Sequence, residues 1–292
     1  MSKIQYSIVD VFSQGKYTGN QLAVFKLTGY IAEHEMQQIA KEINFSETTF
    51  VLFDTNINGY EIRIFTPNQE IPFAGHPALG TASVIQNEIV KESLDKLTLN
   101  FKAGKVPVLF DNPKEILWMQ QNKPTFGRIL DIDKVSDVLN IDKRHIEDRF
   151  PIQEVSTGLP VIVVPLKSLD AIKKVKINKD KYFQLIEGID AKGIMVFSPE
   201  TYHPENDLNV RDFAEFYGIP EDAATGSSNG CLASYLLKYR YFEKNEIKLR
   251  VEQGYEINRS SLLFLDAWEI DGEYNVYVGG RVEKIAHGEW FI

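Results

Sequence analysis

Arg63-x-Phe65-x5-Ile71-Pro72 runs into Ala74-Gly75-His76-Pro77-Ala78-Leu79-Gly80-Thr81-Ala82, and the chain spells this element a second time. Arg211-x-Phe213-x5-Ile219-Pro220 runs into Ala224-Thr225-Gly226-Ser227-Ser228-Asn229-Gly230-Cys231-Leu232-Ala233. The two arginines lie 148 positions apart, about half of a 292-residue chain. In each copy a strand-like run reaches a loop of small residues, and the loop opens an apolar helix. Such a loop bares backbone N–H groups and aims a helix N-terminus at whatever binds there. Two matching halves with one such loop each imply a ligand held between two anion-friendly pockets, with the functional site in the crevice between the halves.

Working outward, the length fits two domains of roughly 140 residues. Hydrophobic residues at 43% and charged residues at 25% describe an ordinary globular chain. A net charge of −9 argues against nucleic acid, which wants clustered Lys and Arg. The pair Lys173-Lys174 with Lys176 reads as a solvated face. Met1-Ser2-Lys3 leads straight into a strand pattern, so no signal peptide is expected, and no apolar run approaches the ~20 residues a membrane span needs. The single cysteine, Cys231, excludes an internal disulfide and fits a reducing cytoplasm.

Ile4, Tyr6 and Ile8 alternate with polar positions, and Thr18-Gly19-Asn20 is a turn before the strand Gln21–Phe25. Met36, Ile39 and Ile43 recur at helical spacing and Asn44 marks the stop. Strand-like runs at Glu47–Phe53 and Glu61–Phe65 precede the first small-residue loop, whose helix is expected over Pro77 to about Val90. Strands near 96–102, 105–110 and 115–119 complete the half. The second half replays this order loosely. Val161–Val164, a helix near 179–187, Gly193–Phe197 and Leu208–Phe213 precede the second loop and a helix over Cys231–Tyr239. The spacing predicts an α+β chain of two pseudo-symmetric halves. They are residues 1–125, onto which a C-terminal strand near 284–292 packs back, and residues 126–283, with the charged, turn-rich stretch 121–150 as connection. Strand–helix alternation of a doubly wound sheet is not seen.

Few residues are placed for chemistry. Glu47 heads an otherwise apolar strand, Phe45-Ser46-Glu47-Thr48-Thr49-Phe50; burial there would raise its pKa, which suits a group that takes and returns a proton. On position alone the plainer reading, an edge glutamate satisfied by Ser46, Thr48 and Thr49, has the advantage. His76, between Gly75 and Pro77, can carry a proton or polarise a carbonyl, or can bond its own loop. Asp222 before the second loop and Ser227 within it can cap the helix or touch a polar ligand. Cys231, just inside that helix, reads as a buried, inert thiol. No His, Cys or carboxylate spacing signals a metal, and no glycine-rich phosphate loop signals a nucleotide, so no cofactor is expected.

Together these segments resemble the phenazine biosynthesis-like (PhzF) isomerases. The matching stretches are Val9–Phe12, Thr18–Phe25, Phe45–Phe50, Phe65-Thr66-Pro67, Glu70–Pro77, Asp222–Ser227, Glu252-Gln253-Gly254 and Gly279–Val282, in family order along nearly the whole chain. The resemblance implies a diaminopimelate epimerase-like fold, two halves each wrapping strands around a central helix, and a homodimer. It implies Glu47 as general acid/base, with His76 and Asp222 around the proton path and Asn20, Gly75, Gly226 and Ser227 in contact with substrate. The epimerases carry a cysteine in each loop; here those stretches read Ala74-Gly75-His76 and Thr225-Gly226-Ser227, so a two-thiol mechanism cannot operate. Alanine at position 223 replaces the proline usual after the aspartate, and Ser228 replaces a frequent alanine. The activity implied is a cofactor-independent isomerisation of a small carboxylated metabolite. Its rivals are a racemase using Glu47 and His76 from opposite faces, and a non-catalytic anion binder.

Overall fold

A computed structural model describes residues 3–54 and 59–292 of the chain, so Met1 and Ser2 lie outside the described residues. Two compact units are present: residues 1–119 with 279–292, and Gln120–Val278.

In the first unit the elements are β1 (Lys3–Val11), β2 (Asn20–Leu27), α1 (Glu33–Ile43), β3 (Glu47–Asp54), β4 (Gly59–Phe65), β5 (Glu70–Ile71), α2 (Gly75–Val84), β6 (Lys96–Phe101), β7 (Gly104–Asp111) and β8 (Ile116–Gln120). The second unit holds β9 (Thr125–Ile129), α3 (Ile132–Leu139), β10 (Gln153–Ser156), β11 (Pro160–Pro165), α4 (Leu169–Lys174), α5 (Lys179–Ile186), β12 (Gly193–Ser198), β13 (Leu208–Ala214), β14 (Ile219–Asp222), α6 (Gly226–Lys238), β15 (Glu246–Gln253), β16 (Ser261–Ile270) and β17 (Glu273–Gly280), which ends just inside the first unit. The chain closes with β18 (Val282–Phe291), which returns to the first unit.

Strand pairing repeats. In the first unit β18–β1 and β1–β2 are antiparallel, β2–β3 parallel, β3–β4 antiparallel, β4–β6 parallel and β6–β7 antiparallel. In the second, β9–β10, β10–β11, β11–β12, β12–β13, β13–β15 and β15–β16 follow the same alternation. The short strands β5 and β14 pair antiparallel with β4 and β13 in turn.

Each unit wraps its strands around one helix. Every residue of α2 is buried, and α2 packs against β1, β2, β3, β6, β7 and β18. Gly80 lets it approach the sheet: a Cβ there would lie 2.6 Å from Leu22 Cδ2 and 2.9 Å from Val11 Cγ2. On the opposite face Phe25, Phe50 and Phe65 pack with Met36 and Ile39 of α1, which Asn44 ends in the left-handed conformation. With helices on both faces, β2 is buried on both sides, which is why Leu22–Phe25 reads as one apolar run. In the second unit α6 packs against β10, β11, β15 and β16, while α3, α4 and α5 join Ile162, Val164, Ile194 and Val196 in a separate cluster.

Two expectations need correction. Residues 121–150 form no connector: they build β9 and α3 and supply Val135, Val138, Leu139 and Ile146 to the core of the second unit. The charges that suggested a linker occupy the outer face of an amphipathic helix. The two central helices also begin earlier than expected, at Gly75 and Gly226, because small and polar residues that read as loop are buried first turns. Among the described residues no helix is long and apolar enough to cross a membrane.

Candidate active site

The repeated arginines are structural pins. Arg63 makes a two-pronged ion pair with Glu70 of β5, both contacts at 2.7 Å, and Arg211 does the same with Glu221 of β14 at 2.9 and 2.7 Å. Residues two apart share a strand face, so each guanidinium also lies over the phenylalanine of its Arg-x-Phe, at 5.2 Å from Phe65 and 4.9 Å from Phe213. The arginine therefore locks the turn that delivers each small-residue run to its helix.

What the first turn delivers is His76, the second residue of α2 and only 6% exposed. Its Nε2 lies 3.5 Å from Oε2 of Glu47, the first residue of β3. Glu47 reaches this place because β3 pairs parallel with β2, setting Glu47 opposite Leu22, whose side chain packs against α2. Burial pushes the Glu47 carboxyl from 4.5 up to about 7, against a hydrogen bond from Ser46 that pulls it down. Oε2 is buried without a hydrogen-bond partner. Of the three hydroxyls that could satisfy the carboxyl, Ser46 does so, while Thr49 turns to Thr81, 2.9 Å between hydroxyls, and Thr48 Oγ1 makes no hydrogen bond. A buried acid poised near neutrality, with one oxygen unengaged, can both accept and return a proton. Asn20, the buried first residue of β2, has its Oδ1 3.4 Å from Ser46 Oγ and so adjoins the same carboxyl.

In the second unit the corresponding helix start gathers Asp222, Gly226 and Ser227. Asp222 does not cap α6. Its Oδ2 accepts from Thr225 Oγ1 at 2.5 Å, and Thr225, the N-cap residue, makes no side-chain cap. The starts of α1 and α2 likewise lack a side-chain cap, whereas α3, α4 and α5 are capped by Asp131, Ser168 and Asn178. Uncapped first turns keep their amides available to an external acceptor. The sequence reading missed the clamp on this turn. Gln253 is fully buried, accepts from Thr225 N and Asn229 Nδ2, and donates to the Asp222 carbonyl and Thr225 Oγ1, all at 3.0–3.1 Å. Its motif neighbour Gly254 has φ +78°, and a Cβ there would sit 2.6 Å from the Ala223 carbonyl. Cys231 is buried and its thiol is pushed up to about 11, so it is inert as expected.

The chain resembles known proteins along nearly its whole length. The model of the phenazine biosynthesis-like protein family matches residues 9–288. A trans-2,3-dihydro-3-hydroxyanthranilate isomerase of Pseudomonas aeruginosa is 32% identical over 289 residues, 95% of this chain and 98% of its own. The crystal structure of a PhzF-family protein of Bacillus anthracis superposes with a TM-score of 0.92 at 26% identity, with both chains fully covered. A probable proline racemase of Agrobacterium radiobacter, 11% identical with a TM-score of 0.66 over 99% of this chain and 93% of its own, shares the fold alone.

Proposed function

The chain is an isomerase of the phenazine biosynthesis-like family, and we propose that it moves a proton between carbons of a small carboxylated metabolite through Glu47. The observation that carries this reading is the Glu47 carboxyl itself. It is buried and shifted to about 7, and its Oε2, which accepts no hydrogen bond, lies 3.5 Å from His76 Nε2. An acid with that pKa is present in both protonation states near neutral pH, so one group serves as base in the first half of the reaction and as acid in the second. His76, beside the carboxyl, orients it for both transfers. The uncapped first turn of α2, with Gly75, supplies amides and a helix dipole for the substrate carboxylate, and that of α6, with Gly226 and Ser227, is a ligand subsite of its own unit. Asn20, beside Ser46 and Glu47, contacts the substrate's polar substituents.

The contact between Glu47 and His76 tells against a two-base racemase. Such a mechanism needs the reacting carbon between its acid and its base, and two groups 3.5 Å apart leave no room for one. The compound named for the Pseudomonas aeruginosa relative is a small cyclic carboxylate and heads the candidates for assay. In D2O, turnover should place deuterium on the carbon that receives the proton. Glu47→Gln should lower turnover by about 10²–10⁴-fold while candidate carboxylates still raise the thermal midpoint of the variant. Full turnover in that folded, ligand-competent variant would exclude Glu47 as the proton carrier.

A further inference from the structure

The repeated topology fixes which residue of the second unit corresponds to Glu47. Glu47 lies opposite Leu22 in the parallel pair β2–β3, three residues before Phe50, which faces Arg63. In the second unit the pair Val161–Gly193 stands at the same place, three residues before Val196, which faces Arg211. The counterpart of Glu47 is therefore Gly193, which has no side chain. The space is not left apolar. A Cβ on Gly193 would lie 3.4 Å from Val161 Cγ2, 3.6 Å from the Phe213 carbonyl and 3.7 Å from Oδ1 of Asp212, a residue of the neighbouring strand β13.

Asp212 is 2% exposed, and its Oδ2 is buried without a hydrogen-bond partner. It stands opposite Asp222 across β13–β14, at a separation where like charges oppose each other. The groups facing it are Asp222 and Glu221 from β14, the Ser228 and Thr225 hydroxyls and Cys231 from the opening of α6, and Tyr182 from α5. Glu221 is itself paired with Arg211. Burial first, then the Asp222 and Glu221 charges, push the Asp212 carboxyl up to about 7, while Ser228 and Thr225 pull it down.

We propose that Asp212 is a positioning residue: seated in the space left by Gly193, its carboxyl keeps a proton so that the Asp222–Ser228 turn holds one negative charge instead of two, and this fixes the first turn of α6. Ionisation of Asp212 places two carboxylates side by side in a buried turn and favours its opening. The role rests on the reading of that turn as a substrate subsite, but its test needs no substrate.

Amide exchange of Thr225–Gly230 is measured from pH 4 to 9 in the whole protein, in Asp212→Asn and in Asp212→Ala, each corrected for intrinsic rates. The closed turn holds a proton that the open turn releases, so in the wild type protection falls as pH rises from about 4 to about 7 and levels off above. The slope is at most about tenfold per pH unit. Asp212→Asn, which keeps size and hydrogen bonding without titrating, should show the low-pH protection at every pH, and Asp212→Ala should be weakly protected throughout. A flat wild-type profile, a fall in Asp212→Asn equal to the wild type's, or full protection in Asp212→Ala would overturn the proposal. Should the variants not fold, the carboxyl carbon shift of Asp212 in the wild type decides. A midpoint near 7 supports the role and one near 4 refutes it. Loss of the Glu47 mechanism would leave all of these readouts unchanged.

Discussion

Replacing Glu47 by glutamine keeps the side chain's size and removes its titration, so it isolates what burying that proton-binding site costs. A move from 4.5 to about 7 corresponds to about 3 kcal/mol, and with the side chain only 13% exposed that is an upper bound little reduced by solvent. The sign follows from proton counts. Between pH 4.5 and 7 the folded chain holds the Glu47 proton and the unfolded chain has released it, so stability falls as pH rises through this window and is level above it. Glutamine contributes none of this slope. Asp212 and other groups distant from Glu47 contribute equally to both proteins and cancel in the difference. Urea unfolding of wild type and Glu47→Gln at pH 4.5 and pH 8.5 should therefore show the variant gaining on the wild type by about 2–3 kcal/mol at the higher pH. A difference that stays constant within about 0.5 kcal/mol would mean that the carboxyl is not desolvated in the folded protein, and the argument for a proton carrier would lose its physical basis.

Three further outcomes follow from contacts described above. His76→Asn should lower turnover by about 10²-fold or more with little change in the unfolding midpoint, checked by steady-state kinetics beside thermal melts. Gln253→Ala should destabilise the protein by about 1–3 kcal/mol, because Thr225 N and Asn229 Nδ2 lose their shared acceptor in a buried place; urea titration measures it, and a neutral result would show the clamp to be dispensable. Gly80→Ala should cost about 1–3 kcal/mol through the clash of its Cβ with Leu22 and Val11, although alanine is the better helix former, and the same titration reads the sign.

Local chemistry made much of the fold legible. Asn44 stops α1 because it tolerates the left-handed conformation, and the periodicity of Met36, Ile39 and Ile43 places that helix without tertiary information. The stretch 121–150 was misread because charge density looks the same on the outer face of α3 as in a linker; only its buried Val135 and Leu139 distinguish the two. At the site, Glu47 and His76 were each legible as candidates, but the 3.5 Å between them spans 29 positions of chain and depends on the β2–β3 register. Asp212 was missed altogether, since an aspartate inside Arg-x-Phe looks like any alternating polar strand position.

The twice-written Arg-x-Phe…Ile-Pro element determined, by itself, that the chain is duplicated and that each half carries a small-residue helix start. Its residue spacing is local, so the guanidinium–ring contacts and the locked turns follow from the sequence order. The state of the carboxyls was decided only by tertiary structure. Whether Glu47 or Asp212 holds a proton near neutral pH depends on how much water and how many charges surround it. Those surroundings form only when β2, β3 and α2 pack around Glu47, and when β14 and the start of α6 fold back on β13 around Asp212.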